Sequence, residues 1–171
     1  MTRSKPFGLL AAVAVVPLVA LVVAGCGSND NSPAAAVKPA SGSATVSVAN
    51  TGLGKILVDS QGRTLYLFEK DSGGKSACSG GCATAWPPLR ASGKPTAGSG
   101  ATSSLIGSTP RSDGKPQVTY NGHPLYGYQG DSNSGDTNGQ GISAFGGAWY
   151  VLSATGDAVT TASSSSGGSG Y

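Results

Sequence analysis

The sequence predicts a small all-β domain assembled from two related β-hairpin repeats, and three observations carry that expectation. The chain repeats itself at an offset of about 60 residues: Val58-Asp59-Ser60-Gln61-Gly62-Arg63-Thr64-Leu65-Tyr66-Leu67-Phe68 aligns with Val118-Thr119-Tyr120-Asn121-Gly122-His123-Pro124-Leu125-Tyr126-Gly127-Tyr128. Each copy holds a turn pair between short apolar runs, Gln61-Gly62 in one and Asn121-Gly122 in the other. Asn-Gly favours a type I′ turn because both central residues take positive φ. Finally, the 171 residues include 28 Gly and 10 Pro with only 11% charged residues. That composition excludes a coiled coil, a helical bundle and a Lys/Arg-driven nucleic-acid binder, and no helix of ten residues is expected.

Taken in order, residues 1–25 read as a lipoprotein signal peptide. Arg3 and Lys5 precede an apolar run from Phe7 to Ala24, the layout of a secretory leader. A membrane-spanning helix needs a run of similar length, but Val23-Ala24-Gly25-Cys26 decides between them. It resembles the lipobox of bacterial lipoproteins, in which the cysteine sulfur takes a diacylglyceryl group before cleavage in front of it. Cys26 is therefore the expected lipidation site, and two or more acyl chains hold a protein firmly on a membrane. Without Arg3 and Lys5, the remaining 9 Lys+Arg stand against 8 Asp+Glu, so the mature chain is nearly neutral and polyanion binding is not expected. Residues 26–43, rich in Ser, Ala and Pro, read as a disordered tether, and residues 163–171 as a disordered Ser/Gly tail.

The duplicated β domain then covers residues 44–162, with repeat one at about 53–90 and repeat two at about 115–153. Thr45 to Ala49 gives an early strand. Lys55 to Asp59 pairs with Arg63 to Phe68, and Gln117 to Tyr120 with Pro124 to Tyr128. With a side-chain period of two, Leu65 and Leu67 face one side of their strand while Tyr66 and Phe68 face the other; Leu125 and Tyr126 divide likewise. Trp149 to Leu152 is a further strand, turning at Thr155-Gly156-Asp157 into Ala158-Val159. Its counterpart Trp86-Pro87-Pro88-Leu89 lacks two ladder N–H groups, so an edge or polyproline-II segment is expected.

Several residues bear chemistry. With Cys26 lipidated, Cys78 and Cys82 form an even pair in an oxidising compartment and are expected to be disulfide-bonded; a redox-active pair would need a thiol of lowered pKa, which this spacing does not provide. Asp131, Asn133, Asp136 and Asn138 place oxygens along a Gly-rich loop, which reads either as a Ca²⁺ site or as Asx-turn chemistry. Asp71 and Asp131 occupy equivalent repeat positions. Catalytic carboxylates come in pairs in glycosidases, but repetition favours a bracing role at a strand end. His123 matches Arg63 beside a turn. The aromatic residues Tyr66, Phe68, Trp86, Tyr120, Tyr126, Tyr128, Trp149 and Tyr150 are expected to form much of the core, with an exposed binding strip as the other reading.

The units Tyr66-Leu67-Phe68-Glu69-Lys70-Asp71 and Tyr126-Gly127-Tyr128-Gln129-Gly130-Asp131 resemble the Tyr-x-(Phe/Trp/Tyr)-x-x-Asp motif of bacterial secreted-repeat lipoproteins, which carry it in tandem. The Cys-x-x-x-Cys-x-x-x-Trp-Pro-Pro-Leu stretch and residues 135–141 before Trp149 resemble that family too. The resemblance implies an exported, lipid-anchored protein with no assigned activity; beyond the Ca²⁺ reading of the Asp131 loop, no cofactor is expected. The expected function is a non-catalytic binding or structural role at the outer face of the cell membrane, with a cell-wall polymer or envelope protein as partner. The other reading is a small metal- or redox-linked accessory module.

Overall fold

The computed structural model describes residues 43–160. The leader 1–25, Cys26, all but the last residue of the tether, and the tail lie outside them. The described chain is β1 (Thr45–Thr51), β2 (Gly54–Val58), β3 (Tyr66–Phe68), a short helix α1 (Gly81–Ala85), β4 (Thr96–Ala97), a 3₁₀ turn (Ser103–Leu105), β5 (Ile106–Pro110), β6 (Pro116–Tyr120), β7 (His123–Pro124), β8 (Ser143–Ala144) and β9 (Gly147–Val151). The strands form three small sheets, ordered β2-β1-β4, β3-β9-β8 and β5-β6-β7. The fold is all-β and duplicated, and the longest helix among the described residues has five residues.

The two hairpin turns differ by one residue. Asn121 and Gly122 have φ of 49° and 81° and link the paired Tyr120 and His123, a two-residue turn with both central residues left-handed. In the turn of repeat one, between Asp59 and Arg63, only Gly62 has positive φ, 75°. That wider loop is pinned by Asp59, whose Oδ1 accepts the Gln61 and Arg63 amides at 2.8 and 3.0 Å while its Oδ2 accepts Arg63 Nε at 2.7 Å. Each repeat also opens with a strand the sequence did not announce in full: β1 runs on to Thr51, and β5 had no signal beyond isolated apolar residues.

The repeats are interlocked rather than side by side. At the centre, the Tyr66 N–H donates to the Tyr126 carbonyl at 2.8 Å, and the Tyr126 N–H donates back to Tyr66 at 3.0 Å. The last segment of each repeat then completes the hairpin of the other. β9 pairs with β3 in the register Tyr66–Val151, Leu67–Tyr150 and Phe68–Trp149, and the Glu69 amide donates to Ala148 at 3.0 Å. In mirror fashion the Gln129 amide donates to Ala85 at 3.0 Å and the Gly127 amide to Pro87 at 2.9 Å. Pro87 and Pro88 are tolerated because this ladder uses their segment mainly as an acceptor; only Leu89 donates, to Leu125 at 2.8 Å.

Period-two alternation divides the interior into two layers. Tyr66, Phe68, Trp86, Tyr126, Trp149 and Val151 pack on one side with Ile56, Val58 and the two cysteines. Leu65, Leu67 and Leu125 lie on the other with Val46, Leu57, Val118, Tyr120 and Leu152. The first layer holds the motif residues.

Candidate functional site

In the aromatic layer the two motif copies clasp each other. The Tyr66 hydroxyl donates to Asp131 Oδ2 at 2.7 Å and the Tyr126 hydroxyl to Asp71 Oδ2 at 2.8 Å. The second oxygen of each aspartate holds the loop that follows it. Asp71 Oδ1 accepts the Ala77 amide at 2.7 Å, and Asp131 Oδ1 accepts the Asn138 amide at 2.9 Å. The motif spacing now has a physical cause: tyrosine reaches across to the other repeat, while aspartate ends its own strand and fastens the outgoing loop.

The remaining motif rings form one pile. Trp86 and Trp149 stack at 4.0 Å with planes 5° apart. Phe68 stacks on Trp149 at 4.1 Å, and Tyr128 on Trp86 at 4.2 Å, each ring from the opposite repeat. Tyr66 and Tyr126 meet the edges of Trp86 and Trp149 at 5.3 and 5.1 Å. Offset and edge-on contacts are the favoured aromatic geometries. Tyr66, Phe68, Trp86, Tyr126 and Trp149 are all buried, so they are core and not an exposed strip; Tyr128 and Tyr150 are half-buried. Gly139 lies flat on this pile. A Cβ there would come within 2.9 Å of Trp86 and Tyr66 ring atoms, and its amide donates to the Tyr66 hydroxyl. Gly139→Ala should therefore cost about 1–3 kcal/mol by overpacking, read as a lowered urea midpoint.

Burial dominates the electrostatics. It pushes the Tyr66 and Tyr126 hydroxyls well above the ordinary tyrosine value, with the facing aspartates adding to the rise. Burial also raises the Asp71 and Asp131 carboxyls, an effect that the amide and tyrosine hydrogen bonds only partly offset.

Around Asp71 a polar network appears that no sequence pattern announced. Arg111 is buried, 8% exposed, and donates to Ser76 Oγ at 2.7 Å, Gln117 Oε1 at 2.6 Å and the Cys78 carbonyl at 2.5 Å. The Tyr126 hydroxyl also contacts Ser76 Oγ at 2.7 Å, so the network reaches the clasp. Arg111 has no counterpart in the internal alignment, which is why comparing the repeats could not find it. His123 is half-buried in β7.

Cys78 and Cys82 form a disulfide with Cα atoms 5.3 Å apart, and both residues are buried. The loop from Asp131 to Asn138 carries its own side-chain-to-backbone hydrogen bonds. Asp136 Oδ2 accepts the Ser132 and Asn133 amides at 2.9 and 2.8 Å and the Asn133 side-chain amide at 3.3 Å, while Asn138 Nδ2 donates to Gly130 at 3.1 Å. Asp131 Oδ2 bonds Tyr66 and its Oδ1 the Asn138 amide, so three of the four carboxylate oxygens in this stretch hold hydrogen bonds. Among the described residues no three His, Cys, Asp or Glu side chains converge on a metal-sized site.

The fold and clasp define a class: a small all-β domain in which two tandem repeats, each marked by Tyr, an aromatic residue, Asp and Trp, are locked together by exchange. The family model described as "Secreted repeat of unknown function" matches residues 47–90 and 107–153, and the chain belongs to that family. The matched spans begin ahead of each hairpin, near β1 and β5. No curated protein and no solved structure matches the chain. The family assignment places the domain outside the cytoplasm, and no described helix is long and apolar enough to cross a membrane.

Proposed function

We propose that this is a lipid-anchored cell-envelope protein whose domain binds or scaffolds and does not catalyse. The observation that supports this most is the clasp. The residues best equipped for acid–base work, Asp71, Asp131, Tyr66 and Tyr126, bond to each other across the repeats and to loop amides. General acid–base catalysis needs a titrating group within hydrogen-bond reach of a substrate. Side chains turned inward as braces build a rigid frame whose outer loops carry recognition. In this reading Cys26 carries the lipid, and the near-neutral domain stands off the membrane facing a cell-wall polymer or another envelope protein.

The anchor is tested by expressing the chain and its Cys26→Ser variant in a bacterial host, with palmitate labelling and fractionation. The unmodified chain is expected to label and to sediment with membranes, and the variant to do neither. Equal sedimentation of both would overturn the lipid anchor.

A further inference from the structure

A duplicated domain carries its own control, because each position can be compared with its twin. The repeats depart from one another at one cross-strand pair. Leu67 in β3 pairs with Tyr150 in β9; Leu67 is 3% exposed within the aliphatic layer, with Tyr150 packed against it. The twin pair is Gly127 and Pro87, joined by the Gly127 N–H to Pro87 carbonyl bond. Two large side chains are thus replaced by a hydrogen atom and a pyrrolidine ring. A Cβ at Gly127 would approach nothing closer than the Pro87 oxygen at 4.0 Å. A second departure lies alongside, since half-buried Tyr128 brings a phenol where Phe68 is a buried bare ring.

Gly127, Pro87 and Tyr128 all line one cleft of about 70 Å³, together with Pro88. That volume has room for roughly five waters, or for the edge of one ring. Its charged lining balances: Asp59 and Asp131 against Arg63 and Arg90. Arg63 pairs with Asp59 at 2.5 Å, and Arg90 with Asp113 at 2.6 Å. Paired guanidinium and carboxylate groups offer donors and acceptors together without net charge. Such a rim suits a neutral, hydroxyl-bearing ligand better than a polyanion or a basic peptide. The apolar walls of proline and tyrosine suit the C–H face of a ring, in the usual division of a small-molecule site between apolar walls and a few polar groups.

We infer that this cleft binds a single neutral sugar ring presented by a glycan. The inference rests on the binding role proposed above and names the chemistry of its ligand. Soluble β-linked N-acetylglucosamine oligomers are the probe, titrated into the purified full chain in detergent and followed by Trp fluorescence and calorimetry. Saturable binding is expected, with Trp86 reporting through its stacking on Tyr128. Gly127→Leu restores the twin's side chain at a position without positive φ, and it should weaken binding about tenfold or more while leaving the near-UV circular dichroism unchanged. Tyr128→Phe, which copies Phe68 and keeps the stack, should weaken binding by a smaller factor. No saturable binding by the unmodified chain, binding unaffected by either variant, or preference for a proline-rich peptide over the oligomer would overturn the inference. Membrane release of the Cys26→Ser variant is read separately, so failure of the anchor and failure of the cleft are distinguishable.

Discussion

Replacing Trp149 by alanine should remove a large share of the stability of the domain. Trp149 is fully buried and touches the three rings that bring the repeats together: Trp86 at 4.0 Å, Phe68 at 4.1 Å and Tyr126 at 5.1 Å. Large-to-small changes at such sites cost about 3–5 kcal/mol, part of it for the cavity left behind, against a total of about 5–15 kcal/mol for a typical domain. The loss falls on both repeats at once, because β9 completes the hairpin of repeat one. A urea titration should show the midpoint collapsing in a single cooperative step. Circular dichroism should lose the exciton couplet of the Trp86–Trp149 stack. Phe145→Ala is the control: at 48% exposure it should change stability by no more than about 0.5 kcal/mol. A Trp149→Ala domain as stable as that control would mean the stack is not the joint between repeats.

Much of this arrangement was legible in the sequence, for physical reasons that can be named. Alternation along Leu65-Tyr66-Leu67-Phe68 gave the two layers correctly, because a strand offers only two faces and both are buried here. Asn121-Gly122 announced its turn through the φ values it requires. Matching Tyr66 and Asp71 with Tyr126 and Asp131 marked the motif as fold-building. The partners of those residues were not legible. Repetition says that two units are alike, but not that Tyr66 bonds to the aspartate of the other unit. That is fixed by the Tyr66–Tyr126 backbone pairing across some 60 residues. Arg111 and Ser76 gave no signal because neither is repeated. The cleft was hidden for the opposite reason: Gly127 reads as one more glycine in a Gly-rich chain until Leu67 is seen filling the equivalent place.

Removing the Asp131 carboxylate should also be costly, and its conservative variant tests the clasp by a different route. Asp131→Ala leaves the Tyr66 hydroxyl and the Asn138 amide without their acceptor. A buried donor without a partner costs about 1–3 kcal/mol, so the variant should lose about 2–4 kcal/mol. Asp131→Asn keeps one acceptor oxygen and should lose less at neutral pH, but it changes the pH dependence. Burial holds the Asp131 and Asp71 carboxyls above their ordinary value of 3.8. Between 3.8 and that raised value the folded chain binds more protons than the unfolded chain, so stability falls as pH rises. The contribution is complete below the ordinary value and is lost as pH climbs through the folded one. Exposed Asp113 and half-buried Asp136 act in the opposite sense. The Arg90 hydrogen bond draws Asp113 down to about 2, and the amides of Asn133 and Ser132 lower Asp136, so their contribution disappears only as pH falls below 3.8. Melting temperature should therefore rise on acidification from neutral pH and turn downward only in stronger acid. The Asp131→Asn, Asp71→Asn double variant should flatten the rise and keep the downturn. A rise of unchanged height in the double variant would show that the pH dependence originates elsewhere, and that the two tyrosine–aspartate bonds do not set the balance between folded and unfolded chain.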